Sequence, residues 1–144
     1  MRWIPSSVLA LLAFVPLAVG ASSPAPAAAV WEDPVEIDIL TLVSVDWQQG
    51  KELPDKIKRL DGRKVVISGY MQSQFRNATD TFMLVADSCQ CTGTPLPNHF
   101  VRIKLPQKTD FKPGELSFIG TLSVGEEMKD GFVDSLYRLD GDFL

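Results

Sequence analysis

The sequence predicts a mainly β domain, a small five-stranded antiparallel barrel with a short N-terminal helix. Five segments rich in β-branched or aromatic residues follow one another from residue 64 onward. The connections between them contain Asn, Asp, Gly and Pro, and none has the length of a helix. Strands joined in this way pair with their neighbours in antiparallel fashion.

The strand assignment follows from residue type and alternation. Val65 and Ile67 share one face of the first strand, and Val66 and Tyr70 lie on the other. A sheet this short best protects its edges by curling into a partly closed, OB-like barrel. The predicted strands are Lys64 to Met71, Thr81 to Ala86, His99 to Leu105, Glu115 to Val124 and Phe132 to Leu139.

The region before the first of these strands contains the predicted helix. Pro54 suits a first helical turn, and Ile57 and Leu60 follow at helical spacing before Asp61-Gly62 ends the pattern. Between Trp31 and Trp47 the apolar residues change phase midway, so strand and helix remain equally open there.

The N-terminus has the features of an export signal. Arg2 precedes an apolar run, and small residues follow at positions 18–21. The run contains Pro16 and is shorter than the roughly 18 residues that a spanning helix needs. We therefore expect a cleaved signal peptide over residues 1–21, no membrane span afterwards, a flexible Ser/Pro/Ala-rich linker over 22–34, and an OB-like β domain over 35–144 of a periplasmic or secreted protein.

Composition and charge narrow the function. The formal net charge is −4, or −5 once Arg2 is removed, and the basic residues form no stripe, which argues against nucleic acid as a partner. There is no Gly-x-Ser-x-Gly motif and no phosphate loop, and the chain has one histidine, so acyl and phosphoryl transfer lack their usual groups. Glu126, Glu127, Asp130 and Asp134 are typical of a solvated hairpin rim.

The connection between the second and third predicted strands holds the chemically distinctive residues. It contains Cys89-Gln90-Cys91, and His99 follows after Pro95 and Pro97. A long connection of this kind is where a small β domain carries a binding or reactive site.

Three interpretations of this segment remain open. A Cys89–Cys91 disulfide would need a turn and would be strained and easily reduced, which suits a thiol–disulfide redox protein. Two thiolates on one face, with His99 as third ligand and Asp87 or water as fourth, would instead suit a thiophilic metal ion such as Zn²⁺ or Cu⁺. In the third interpretation the cysteines only pack, within a protein-interaction module.

A series of short motifs resembles a known family. They are Leu60-Asp61-Gly62, Gly69-Tyr70-Met71, Leu84-Val85, Cys89 with Pro95, Pro97 and Asn98, Gly120-Thr121-Leu122 and Leu136-Tyr137. In this order and spacing they resemble the domain-of-unknown-function 3299 (DUF3299) family of secreted bacterial proteins, which are often encoded beside ABC-transporter components.

The resemblance implies a periplasmic OB-like domain with a role in metal or small-molecule traffic across the envelope. Some family members carry Cys-x-His where this chain has Cys89-Gln90-Cys91, and that exchange keeps a metal ligand but abolishes a disulfide. We therefore expect a non-enzymatic accessory protein that binds a metal ion, zinc, at Cys89, Cys91 and His99 and assists an envelope ABC transporter. A redox protein and an interaction module are the alternatives.

Overall fold

A mixed β-sheet of six strands organises the domain in a computed structural model of the chain, which describes residues 33–72, 77–88 and 95–144. The described residues belong to the compact unit Trp31–Leu144. The predicted signal peptide and nearly all of the predicted linker lie outside the described residues. The strands are β1 (Val35–Asp38), β2 (Lys64–Met71), β3 (Thr79–Val85), β4 (Val101–Thr109), β5 (Glu115–Lys129) and β6 (Phe132–Phe143).

The mainly β prediction is confirmed, but the antiparallel five-stranded sheet is wrong. A sixth strand, β1, pairs with β2 in parallel, and β4 pairs with β6 in parallel. The second parallel pair forms because β6 lies between β4 and β5 in the sheet and therefore pairs with both of them. The neighbours run in the order β1-β2-β3-β4-β6-β5, and β5 also pairs with β2.

The ambiguous stretch before the helix contains both a strand and a helix. β1 ends at Asp38, whose side-chain Oδ1 accepts a hydrogen bond of 2.9 Å from the backbone N–H of Leu40. This N-cap starts helix α1 (Ile39–Val43). The change of phase in the apolar pattern therefore marks the junction of two elements.

The predicted helix is confirmed as a short helix, α2 (Asp55–Lys58), with Pro54 at its N-cap. Its Ile57 is fully buried against the sheet. Gly62 then takes a positive φ of 73° and donates its N–H to the Leu122 carbonyl at 2.7 Å, which ties the turn to β5. No helix in the three described ranges has the length and apolar character needed to cross a membrane.

β5 extends beyond its predicted end to Lys129 because the hairpin continues to a tight turn, and β6 extends beyond its predicted end to Phe143, where it pairs with Phe118 of β5. Asp130 and Gly131 both have positive φ, 51° and 85°, which suits the twist of a two-residue hairpin connection. Nearer the core the two backbones pass very close to each other. A Cβ atom on Gly141 would collide with the Ile119 carbonyl oxygen and with Cα of Gly120.

Candidate functional site

The connection between β3 and β4 carries the residues predicted to bind metal. Cys89 and Cys91 fall within residues 89–94, outside the described residues, so their role as metal ligands remains a prediction. The described flanks are residues 86–88 and 95–100. They define where the connection leaves β3 and how it enters β4.

His99 lies at the end of this connection with its side chain exposed. Its backbone N–H donates to the Leu96 carbonyl at 2.8 Å and closes a turn. Because of this turn the predicted strand start at His99 is wrong, and β4 begins at Val101. The neighbours Asn98 and Phe100 are only 5% and 1% exposed, so the backbone on both sides of the imidazole is held in the core.

Two long-range hydrogen bonds anchor the connection next to His99. The Pro97 carbonyl accepts from the Leu136 N–H at 3.1 Å, which ties the connection to β6. Asn98 Nδ2 donates to the Val45 carbonyl at 3.1 Å, which ties it to the segment after α1. The returning limb of the connection therefore has a fixed position on the domain.

Asn98 also places a buried hydrogen-bond acceptor, its Oδ1 atom, next to His99 in the chain. Its Oδ1 receives no hydrogen bond from any residue that the structure describes. A buried acceptor without a donor costs about 1–3 kcal/mol. A hydrogen-bond donor that reached Asn98 Oδ1 would therefore be bound strongly.

The described residues do not by themselves form a metal centre. Within residues 33–72, 77–88 and 95–144, no three His, Cys, Asp or Glu side chains converge in a way that could hold a metal ion. Asp87, the candidate fourth ligand, is exposed at the opposite end of the connection from His99. The predicted site thus depends on the two cysteines.

Across β4, β5 and β6 lies a polar network that the sequence analysis missed. Arg102 Nη1 donates to Asp134 Oδ2 at 2.6 Å and to Glu127 Oε2 at 3.2 Å. The hydrogen bond from Arg102 is the main cause that lowers the pKa of Asp134. The side chains of Arg102 and Asp134 are 21% and 32% exposed, so the pair is partly shielded from solvent.

The same network reaches a buried hydroxyl. Ser135, which is fully buried, donates its hydroxyl to Glu127 Oε2 at 2.9 Å, and Arg138 Nη1 donates to the Gly125 carbonyl at 3.0 Å. Every acidic group of this network has a donor, and its arginines contact protein carbonyls or carboxylates. The network holds the β5–β6 hairpin in place against β4, so its role is structural. An arginine at a half-buried strand position, Arg102, was the signal in the sequence.

Glu126 fixes a second part of the molecule. Its Oε1 accepts hydrogen bonds from Trp47 Nε1 at 3.2 Å and from the Gly50 N–H at 2.9 Å. The residue is exposed, as predicted for the hairpin rim, but it also joins β5 to the segment between the two helices.

The fold defines the class of this chain as a small mixed-β domain in which a long connection, anchored on its returning side, contains both cysteines and the histidine of the sequence. Neither a protein-family model nor a curated protein matches the sequence. A solved DUF3299 family protein from Pseudomonas aeruginosa PAO1 is similar in structure, with a TM-score of 0.54. The sequences are 15% identical, and the match covers 78% of this chain and 97% of that one.

This likeness confirms the resemblance to the DUF3299 family at the level of the fold. At such low identity it carries the fold alone, and the family name denotes a domain of unknown function. The activity must therefore be argued from the chain's own residues.

Proposed function

We propose that this protein is an exported, non-enzymatic accessory protein that binds a thiophilic metal ion, Zn²⁺, on the β3–β4 connection and assists an envelope ABC transporter. Cys89 and Cys91 supply two thiolates in this proposal, and His99 supplies an imidazole nitrogen. The observation that carries it is the exposed His99 side chain on an anchored backbone, eight residues after Cys91 in the same connection.

The scaffold for this site is, in the proposal, an OB-like barrel. The pairings β2–β3, β3–β4, β4–β6, β6–β5 and β5–β2 return to the strand from which they start, which supports closure. The exchange of the last two strands in the order of neighbours agrees with the Greek-key connection of OB-type barrels. Long connections between the strands of such barrels commonly carry the ligand.

The chemistry of the donors favours zinc. Thiolate and imidazole ligands suit the tetrahedral Zn²⁺ ion, whereas Mg²⁺ and Ca²⁺ prefer oxygen. The two anchors at Pro97 and Asn98 hold His99 before metal arrives, so less conformational entropy is lost when the ion binds. A fourth position remains for Asp87, for water or for a group of the partner that receives the ion.

Metal analysis of the purified, reduced protein tests this proposal. We expect about one Zn²⁺ per chain after incubation with zinc and gel filtration, and strongly reduced zinc content in Cys89→Ser and Cys91→Ser. Removal of the imidazole in His99→Gln should weaken binding without abolishing it, because the two thiolates remain. Asp130→Asn, which changes an exposed carboxylate on the β5–β6 turn, is the matched control and should bind zinc like the wild type.

Metal at background level, unchanged by Cys89→Ser, would contradict the proposal. If one of the two thiols then titrated well below the pKa of free cysteine, the thiol–disulfide alternative would be favoured instead.

A further inference from the structure

A groove of about 620 Å³ runs along the outer face of β1, β2 and β5. Val65 and Ile67 of β2 are buried, so the alternate residues Val66, Ser68 and Tyr70 lie on the opposite face and line the groove. The register places β2 between β1 on one side and β5 on the other. Helix α1 bounds one end, where Leu40 is 53% exposed.

The groove is acidic. Glu36 and Asp38 of β1 and Glu115 of β5 line it, and none of the described lining residues is basic. All three side chains are exposed, but Asp38 Oδ1 already caps α1 by accepting a hydrogen bond from the Leu40 N–H. A cleft in which all charged side chains are carboxylates has a negative electrostatic potential, which attracts a cationic partner.

Glu36 and Glu115 are far apart. Glu36 pairs with Val66, and Glu115 pairs with Tyr70, four residues further along β2. With strands about 4.8 Å apart and a rise of about 3.3 Å per residue, their Cα atoms are separated by roughly 16 Å. A small amine contacts one of them, whereas an extended polypeptide with basic residues four positions apart, on the same face of the strand, reaches both with its long side chains.

We infer that this groove docks an extended basic segment of a partner protein. Lysine or arginine side chains of that segment pair with Glu36 and Glu115, and an apolar side chain between them packs on Tyr70 and Leu40. This interaction is independent of metal binding at the β3–β4 connection, so either one holds without the other.

The test uses three fluorescein-labelled peptides of nine residues and measures binding by fluorescence anisotropy. The first has lysines four positions apart with Thr, Val and Leu between them, so that both lysines lie on one face of an extended chain. The second has the same composition with adjacent lysines, and the third has glutamate in place of lysine. We expect the first peptide to bind most tightly, the third to show no binding, and the affinity of the first to fall as salt is raised.

Variants of the protein identify the surface. Glu36→Gln and Glu115→Gln should each weaken the first peptide about three- to fivefold, the effect of losing one exposed ion pair, and the double variant about tenfold. Asp130→Asn removes the same charge at the other end of β5 and should leave the affinity unchanged. Thermal melting of each variant verifies that the fold is retained.

Three results would overturn the inference. One is the absence of binding by the first peptide at millimolar concentration, which would leave the carboxylates as guards against edge-to-edge association. Another is an equal loss of affinity in Asp130→Asn, which would indicate attraction to net charge alone. The last is displacement of the peptide by an equal concentration of spermidine, which would indicate a site for small cations.

Discussion

Tyr137 places a hydroxyl group in the apolar core of the domain. The residue is fully buried, and its hydroxyl donates to the Leu42 carbonyl at 3.0 Å, which joins β6 to α1. Burial raises the pKa of Tyr137 to about 12. The hydrogen bond therefore satisfies the buried hydroxyl and gives the Leu42 carbonyl a second donor besides the Val45 N–H.

Removal of this hydroxyl in Tyr137→Phe should lower the free energy of unfolding by about 1 kcal/mol, because a buried hydrogen bond is lost while the Leu42 carbonyl keeps the Val45 N–H as a donor. Urea denaturation at neutral pH measures this. Tyr70→Phe changes a half-buried tyrosine on the outer face and should shift stability by less than about 0.5 kcal/mol. Equal effects at the two positions would show that the buried hydrogen bond contributes nothing.

The same residue predicts a stability change in alkali. In the unfolded chain Tyr137 ionises near the ordinary tyrosine pKa of 10.0, whereas in the folded protein its pKa is about 12. The folded state thus binds more protons in this range, and its stability falls as the pH rises through 10 toward 12. Unfolding by urea between pH 9 and 12 should show a smaller decline in Tyr137→Phe than in the wild type.

Asp134 predicts the opposite dependence at acid pH. Its pKa is lowered by the hydrogen bond from Arg102, so its stabilising effect is present above the unfolded value of 3.8 and is lost as the pH falls through the lower folded value. Asp134→Asn should cost about 1 kcal/mol at pH 7 and much less near pH 2. Asp130→Asn, at an exposed position of the β5–β6 turn, should cost little at either pH. A pH-independent effect of Asp134→Asn would contradict the assignment.

At the scale of elements, the strands of the second half were predictable and their order in the sheet was not. β2 has the predicted bounds because its alternation and flanking turns are local signals. The parallel pairing of β4 with β6 arises because the β5–β6 hairpin places β6 beside β4 in the sheet. This contact is long-range and has no local sequence pattern that would predict it. The same applies to Arg102, whose partners come from two other strands.

The candidate site was predictable only as a segment. Residue types and loop length indicated the β3–β4 connection, and the structure places its His99 in a turn rather than at a strand start. The anchors that fix this turn come from Leu136 and Val45, both distant in the chain. Sequence spacing alone does not reveal such contacts.

The close approach of β5 and β6 gives a prediction at this scale. Gly141→Ala would place a Cβ atom against the backbone of Ile119 and Gly120, and a rigid backbone cannot move aside as a flexible side chain does. We expect a loss of about 3 kcal/mol or more in the free energy of unfolding. Ser123→Ala, further along β5 at a half-buried position, is the control and should cost far less.

At the scale of the whole molecule, two surfaces carry the proposed interactions. The β3–β4 connection would bind a soft metal ion, and the acidic groove beside β1 would dock a basic partner. In the proposed accessory role, the first contact would hold the cargo and the second would hold the component that receives it. The groove is lined mainly by strand residues, and the β3–β4 connection is anchored to the domain by hydrogen bonds at Pro97 and Asn98.

Zinc K-edge X-ray absorption of the zinc-loaded protein tests the proposed centre most directly. We predict two sulfur ligands at about 2.3 Å and at least one nitrogen ligand at about 2.0–2.1 Å. Cys91→Ser should remove one sulfur ligand from the spectrum. His99→Gln should remove the imidazole nitrogen ligand and leave both sulfur ligands in place. A spectrum with only oxygen and nitrogen ligands, unchanged in Cys91→Ser, would contradict a thiolate metal site on the β3–β4 connection.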